Sequence, residues 1–134
     1  MTSYCFKVDK LIRDKIPQIL RQKGLIVPER VMDKEEFLIR LKDKLMEEAG
    51  EVTKACYGEE LVEELADLME VIYALCQAYQ QSFDEVERKR IEKKEKCGGF
   101  DRKIYNPSVE VQETNPLIEY YLARPDRYPV TEAD

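Results

Sequence analysis

The stretch DKEEFLIRLKDKLMEEAGEVTKACYGEELVEELADLMEVIYALCQAYQ, residues 33–80, sets the architecture. Its apolar positions Leu38, Leu41, Leu45, Ala49, Val52 and Cys56 recur at three- and four-residue spacing, the period of one helix face and not the alternation of a strand. Asp33 with Glu36 three residues on forms an Asp-type capping box. The spacing therefore predicts a helix from about Lys34 to Cys56. Tyr57 and Gly58 interrupt the pattern, and Leu61, Leu65, Leu68, Ile72, Leu75 and Tyr79 resume it from about Glu59 to Gln80. A turn this short makes the two helices antiparallel neighbours.

On the N-terminal side, Pro17 suits the first turn of a short helix that ends at Gly24. On the C-terminal side, Ser82 with Glu85 is a second capping box, opening a helix that runs to about Lys96 and stops at Gly98-Gly99. From Phe100 onward Pro107, Pro116, Pro125 and Pro129 break the chain, and only Leu117 to Ala123 keeps a helical period. The expected architecture is all-α: an antiparallel helical bundle with an irregular C-terminal tail. With 134 residues there is material for one modest core. A single domain, 1–134, is expected, with a helical core over about 17–100 and a tail over 101–134.

No run approaches the roughly 20 apolar residues of a membrane-spanning helix, and MTSYCFKVDK lacks the apolar centre of a signal peptide. A cytoplasmic protein with no membrane partner is expected. Cys5, Cys56, Cys76 and Cys97 form no CxxC pair and read as reduced thiols, with Cys56 and Cys76 among apolar helix positions. The formal net charge of −6 argues against binding a nucleic-acid polymer, which requires cations along the phosphate backbone. Charge is segregated: residues 43–70 carry ten acidic and two basic side chains, residues 7–23 six basic and two acidic, and residues 88–103 eight basic and three acidic. An acidic centre lies between two basic flanks.

At about 100° per residue, Glu48 falls on the apolar stripe of the first long helix and Glu51 on its flank, whereas Glu47 points nearly opposite and is expected to be solvated. On the second long helix Glu63, Glu70 and Gln77 mark the polar side, while Glu64 and Asp67 share a side with Val71, Ala74 and Ala78. Carboxylates placed on apolar faces need a cation or strong donors, or they take up protons. Two such pairs at i, i+3 on facing antiparallel helices offer hard oxygen ligands to one space. Without histidine or CxxC a zinc site is disfavoured, and the implied ion is Mg²⁺, with Mn²⁺ as a substitute.

The pattern Glu47-Glu48-Ala49-Gly50-Glu51, a twelve-residue gap, and Glu64-Leu65-Ala66-Asp67 resembles the EExxE…ExxD motif of the MazG-like all-α nucleoside triphosphate pyrophosphohydrolases. KLIRDKIPQIL at 10–20 and the lysine-rich helix ending in Gly98-Gly99-Phe100 extend the likeness toward the phosphoribosyl-ATP pyrophosphohydrolase-like and house-cleaning branch. The resemblance covers roughly residues 7–103. One departure is Cys97, where that branch leads one to expect an arginine before Gly98.

The resemblance implies cleavage of a nucleoside triphosphate, canonical or not, between its α and β phosphorus atoms, giving the monophosphate and pyrophosphate. It further implies that Glu48, Glu51, Glu64 and Asp67 hold magnesium and carry the catalysis, and that the enzyme is a homo-oligomer, most simply a dimer. Lys10, Arg13 and Lys15 in one flank and Lys93, Lys94 and Lys96 in the other are the candidates for holding the pyrophosphate. Phe37, Tyr57, Tyr73 and Phe100 are candidates for stacking on a base. Without histidine, a general base is a carboxylate, a less usual side chain or the metal-activated water. Two other readings stand beside this one: phosphoribosyl-ATP pyrophosphohydrolase of histidine biosynthesis, and a helical interaction module without turnover.

Overall fold

In the computed structural model, which describes residues 2–131, the elements are α1 (Ile16–Gln22), α2 (Lys34–Lys54), α3 (Gly58–Ala78), α4 (Phe83–Cys97) and α5 (Ile118–Leu122). No strand occurs among the described residues, so the chain is all-α as expected. It divides into two compact units, one ending at Glu92 and the other beginning at Lys93.

The first unit is organised by the hairpin of α2 and α3, the two helices that pack against each other most extensively. Asp33 caps α2 by accepting a hydrogen bond from the Glu36 amide at 2.8 Å. The reciprocal half of the capping box is not made, because both oxygens of Glu36 accept from Arg30, at 2.7 and 2.6 Å. The helix stops at Lys54, since Ala55 takes up extended backbone. Cys56 therefore leaves the apolar stripe on which the periodicity places it and is exposed in the connection.

The hairpin buries Leu41 from α2 and Val71 and Cys76 from α3, with Pro17 of α1 also buried. Leu38, Leu45, Ala49 and Val52 are half-buried, which gives the expected stripe on α2 its interior side. On α3, Glu63, Glu70 and Gln77 face solvent as the heptad spacing predicts. However, Leu61, Leu65 and Met69 are also exposed. The helix is apolar over a wider arc than a single neighbour can cover.

Ahead of α1 the chain runs without regular structure through Lys10 to Arg13, with Leu11 and Ile12 half-buried. After α1, Gly24 adopts a left-handed φ of +88°, and the Gly24 and Leu25 amides return to the Arg21 and Leu20 carbonyls at 3.0 and 3.2 Å. Ser82 opens α4 by accepting from the Asp84 amide at 3.1 Å, and Phe83 stacks on Tyr73 of α3 with ring centroids 4.1 Å apart. Beyond Glu92, α4 ends where Gly98 turns left-handed at φ +86°. In the second unit α5 gathers Tyr120 and Tyr121 with Tyr128, and Arg124 lies 3.9 Å over the Tyr120 ring.

Candidate metal centre

Helical geometry places Glu48 on the inner side of α2 in its C-terminal half, and Glu64 and Asp67 one turn apart on α3, where the two helices face each other. Each of these three carboxylates offers an oxygen within 4.8 Å of the others. Glu48 is buried at 8% exposure, while Glu64 and Asp67 are half-buried. No histidine or cysteine joins the cluster, so its donors are all hard anionic oxygens, a set suited to a divalent cation of the magnesium class.

Desolvation first, and then the negative charges of Asp67, Glu51 and Glu48, push the Glu64 carboxyl above its ordinary value. No ion pair among the described residues involves Glu64. Glu51, the fourth expected ligand, is half-buried on the same helix as Glu48 but outside the group of three converging oxygens. Its carboxylate lies 4.0 Å from Lys54, yet its charge is felt by both Glu64 and Lys10.

Cations from two directions neutralise the cluster. Lys44, one turn before Glu48 on α2, lies 3.4 Å from both Glu48 and Glu47. The irregular segment ahead of α1 brings Lys10 to Glu47 at 3.0 Å and Arg13 to Asp67 at 2.8 Å. The hydrogen bond to Glu47, followed by its charge, raises the Lys10 pKa. Partial burial pushes Glu47 up, but hydrogen bonds and charge from Lys10 and Lys44 outweigh it and hold the carboxyl below its usual range. Glu47 is thus not the solvated residue that helical phase alone predicts, because the N-terminal segment crosses that side of α2. Beneath Lys10, between Leu11, Arg40, Asp43, Lys44 and Glu47, lies a cavity of about 30 Å³, room for about one water.

The remaining candidates are distributed as follows. Lys15 is the exposed N-cap residue of α1. Lys93, Lys94 and Lys96 are exposed at the end of α4 in the second unit, and the Lys94 carbonyl accepts the Gly98 amide at 2.8 Å. Phe37 is half-buried, Tyr73 is engaged by Phe83, and Tyr57 and Phe100 are exposed. Lys44 is a site residue that the sequence reading does not include. Its i, i+4 spacing to Glu48 is the signal that points to it.

The profile of the phosphoribosyl-ATP pyrophosphohydrolase family matches residues 10–94, a span that begins at Lys10 and contains the converging carboxylates. The chain belongs to this family. It is therefore assigned to the nucleotide pyrophosphohydrolases, hydrolases that act on acid anhydrides, within the MazG-like superfamily that the acidic motif resembles. No curated protein and no solved structure matches the chain significantly. Among the described residues, no helix is long and apolar enough to cross a membrane.

Proposed function

We propose that this pyrophosphohydrolase cleaves a nucleoside triphosphate, canonical or modified, between the α and β phosphorus atoms, with Mg²⁺ as its cofactor and Mn²⁺ as a substitute. The observation that carries the reading is the meeting of Glu48, Glu64 and Asp67 oxygens from two helices within 4.8 Å. These three residues would hold the ion, with Glu51 one turn from Glu48 as a further ligand. When bound, the ion supplies charge neutralisation at the phosphate oxygens and acidifies water.

The chain's own residues account for the rest of the mechanism. Glu48 presents its carboxylate from a buried position, so its orientation is held by packing and by Lys44. Glu64, crowded by the charges of Asp67, Glu51 and Glu48, is a carboxylate whose repulsion a bound divalent ion would offset. Lys10 and Arg13 supply cations beside the carboxylates, and the planar fork of Arg13 can take two phosphate oxygens at once.

The family description favours a second reading in which phosphoribosyl-ATP is the substrate. Both readings share the scissile anhydride and the metal, so one experiment addresses them. Purified protein with Mg²⁺ is offered a panel of canonical and damaged nucleoside triphosphates together with phosphoribosyl-ATP, and pyrophosphate release is measured. The best substrate names the reading. Release from none of them, with Glu64→Gln indistinguishable from wild type, removes the proposed activity and leaves an interaction module.

The uncovered Leu61, Leu65 and Met69 side of α3 supports a homo-oligomer, most simply a dimer, in which a second copy covers that side. Four free cysteines, three of them exposed, support a reducing, cytoplasmic setting.

A further inference from the structure

We propose that Arg13 is a resident counter-ion of the acidic cluster, which a divalent cation displaces from Asp67 and which then transfers its guanidinium to a phosphate oxygen of the substrate. The inference rests on the metal-dependent reading above and adds a two-state role for the segment ahead of α1.

Three carboxylate oxygens within 4.8 Å of one another make a site that repels itself when it holds no cation. The fold answers with side-chain cations, but the two nearest are not equivalent. Lys44 rises from α2, has an 18% exposed side chain, and is tied to its own helix at i, i+4 from Glu48. Arg13 sits on irregular backbone, is 55% exposed, and reaches Asp67 across 54 residues of sequence. A half-exposed pair of this kind is weak, so it can yield to a doubly charged ion. Lys44 stays and Arg13 is the one able to leave.

The geometry also equips Arg13 for a second partner. Its contact with Asp67 uses Nη2 alone, at 2.8 Å, leaving the other edge of the guanidinium open to an oxyanion. Leu11 and Ile12, half-buried, and Pro17, buried, anchor the chain on both sides of the residue, so the guanidinium can change partners without leaving the site. The same group that neutralises the acids before metal binding later grips the substrate.

Mn²⁺ binding to the full-length chain, without nucleotide, is measured by electron paramagnetic resonance. Removing the competing charge in Arg13→Ala is expected to lower the Mn²⁺ dissociation constant roughly fivefold, while Arg13→Lys stays near wild type. In both variants a non-hydrolysable triphosphate analogue should bind the Mn²⁺-loaded protein more weakly, because the bidentate fork is gone. In the wild-type protein, tryptic cleavage after Arg13 should accelerate with Mn²⁺ alone and slow again when the analogue is added. Unchanged or weaker Mn²⁺ binding by Arg13→Ala, or cleavage indifferent to Mn²⁺, overturns the proposal while the metal-dependent reading stands. Wild-type protein that binds no Mn²⁺ overturns both.

Discussion

Lys44 Nζ lies 3.4 Å from Glu48 Oε1, one helical turn apart on α2, and both side chains are largely withdrawn from solvent. Withdrawing a carboxylate beside other carboxylates is costly, and Lys44 is the cation that offsets it from within the same helix. Replacing it by a side chain of similar length, in Lys44→Met, should lower metal-free stability by about 1–2 kcal/mol. Added Mn²⁺ should recover more stability in the variant than in wild type, because the ion then supplies the missing charge. Urea titrations with and without Mn²⁺ check this, and equal recovery in the two proteins would contradict it.

Glu64→Gln should separate function from stability. Removing even indirect support of a metal ligand costs about 10- to 100-fold, so losing the carboxylate itself should lower pyrophosphate release by on the order of a hundredfold or more. Metal-free stability should move the other way. A carboxyl whose folded-state pKa is raised costs stability once it ionises. The cost is absent below the ordinary glutamate value of about 4.3 and complete above the raised folded value. The melting temperatures of Glu64→Gln and wild type should therefore agree at low pH, with the variant increasingly the more stable as pH rises toward 7. A gap that shrinks with rising pH would sink the assignment of Glu64 to the crowded position.

Leu41, at 2% exposure, is the most buried apolar side chain described, in a small interior. Leu41→Ala should cost about 2–5 kcal/mol, with the spread set by how far the α2–α3 hairpin relaxes into the gap. Because the carboxylates stand on the same two helices, activity should fall steeply as the variant approaches its melting temperature. Parallel thermal scans by circular dichroism and by activity would show it.

If a second copy covers the Leu61, Leu65 and Met69 side of α3, placing a charge there should separate the subunits. Sedimentation equilibrium is expected to give a dimer for wild type and a monomer for Leu65→Asp, with the α-helical circular dichroism of each monomer kept. A wild-type monomer at tens of micromolar would remove that use of the face.

The periodicity of residues 33–80 is enough to establish two long helices, their order and the antiparallel turn, because a 3.6-residue repeat is a property of the chain itself. Asp33, Gly24 and Gly98 likewise mark helix ends that the structure keeps, since caps are made by neighbours in sequence. That Glu64 and Asp67 share a side of α3 with Val71, with Asp67 nearer the edge where Glu63 and Glu70 lie, is also legible in the chain. Periodicity misplaces Cys56 because one residue of extended backbone at Ala55 ends the phase relation.

Contacts between elements are a different matter. Helical phase sends Glu47 to solvent, but Lys10, 37 positions earlier, covers it. Phase also gives no means of knowing that Arg13 meets Asp67, or that the Glu48, Glu64 and Asp67 oxygens converge within 4.8 Å while Glu51 stays outside the group. The order of residues is sufficient to say which faces the helices have and which acids lie on the wrong ones. Which cation answers which acid follows only from the folded arrangement, because an ion pair depends on distance in space, and an irregular segment such as residues 10–13 carries no period from which that distance could be calculated.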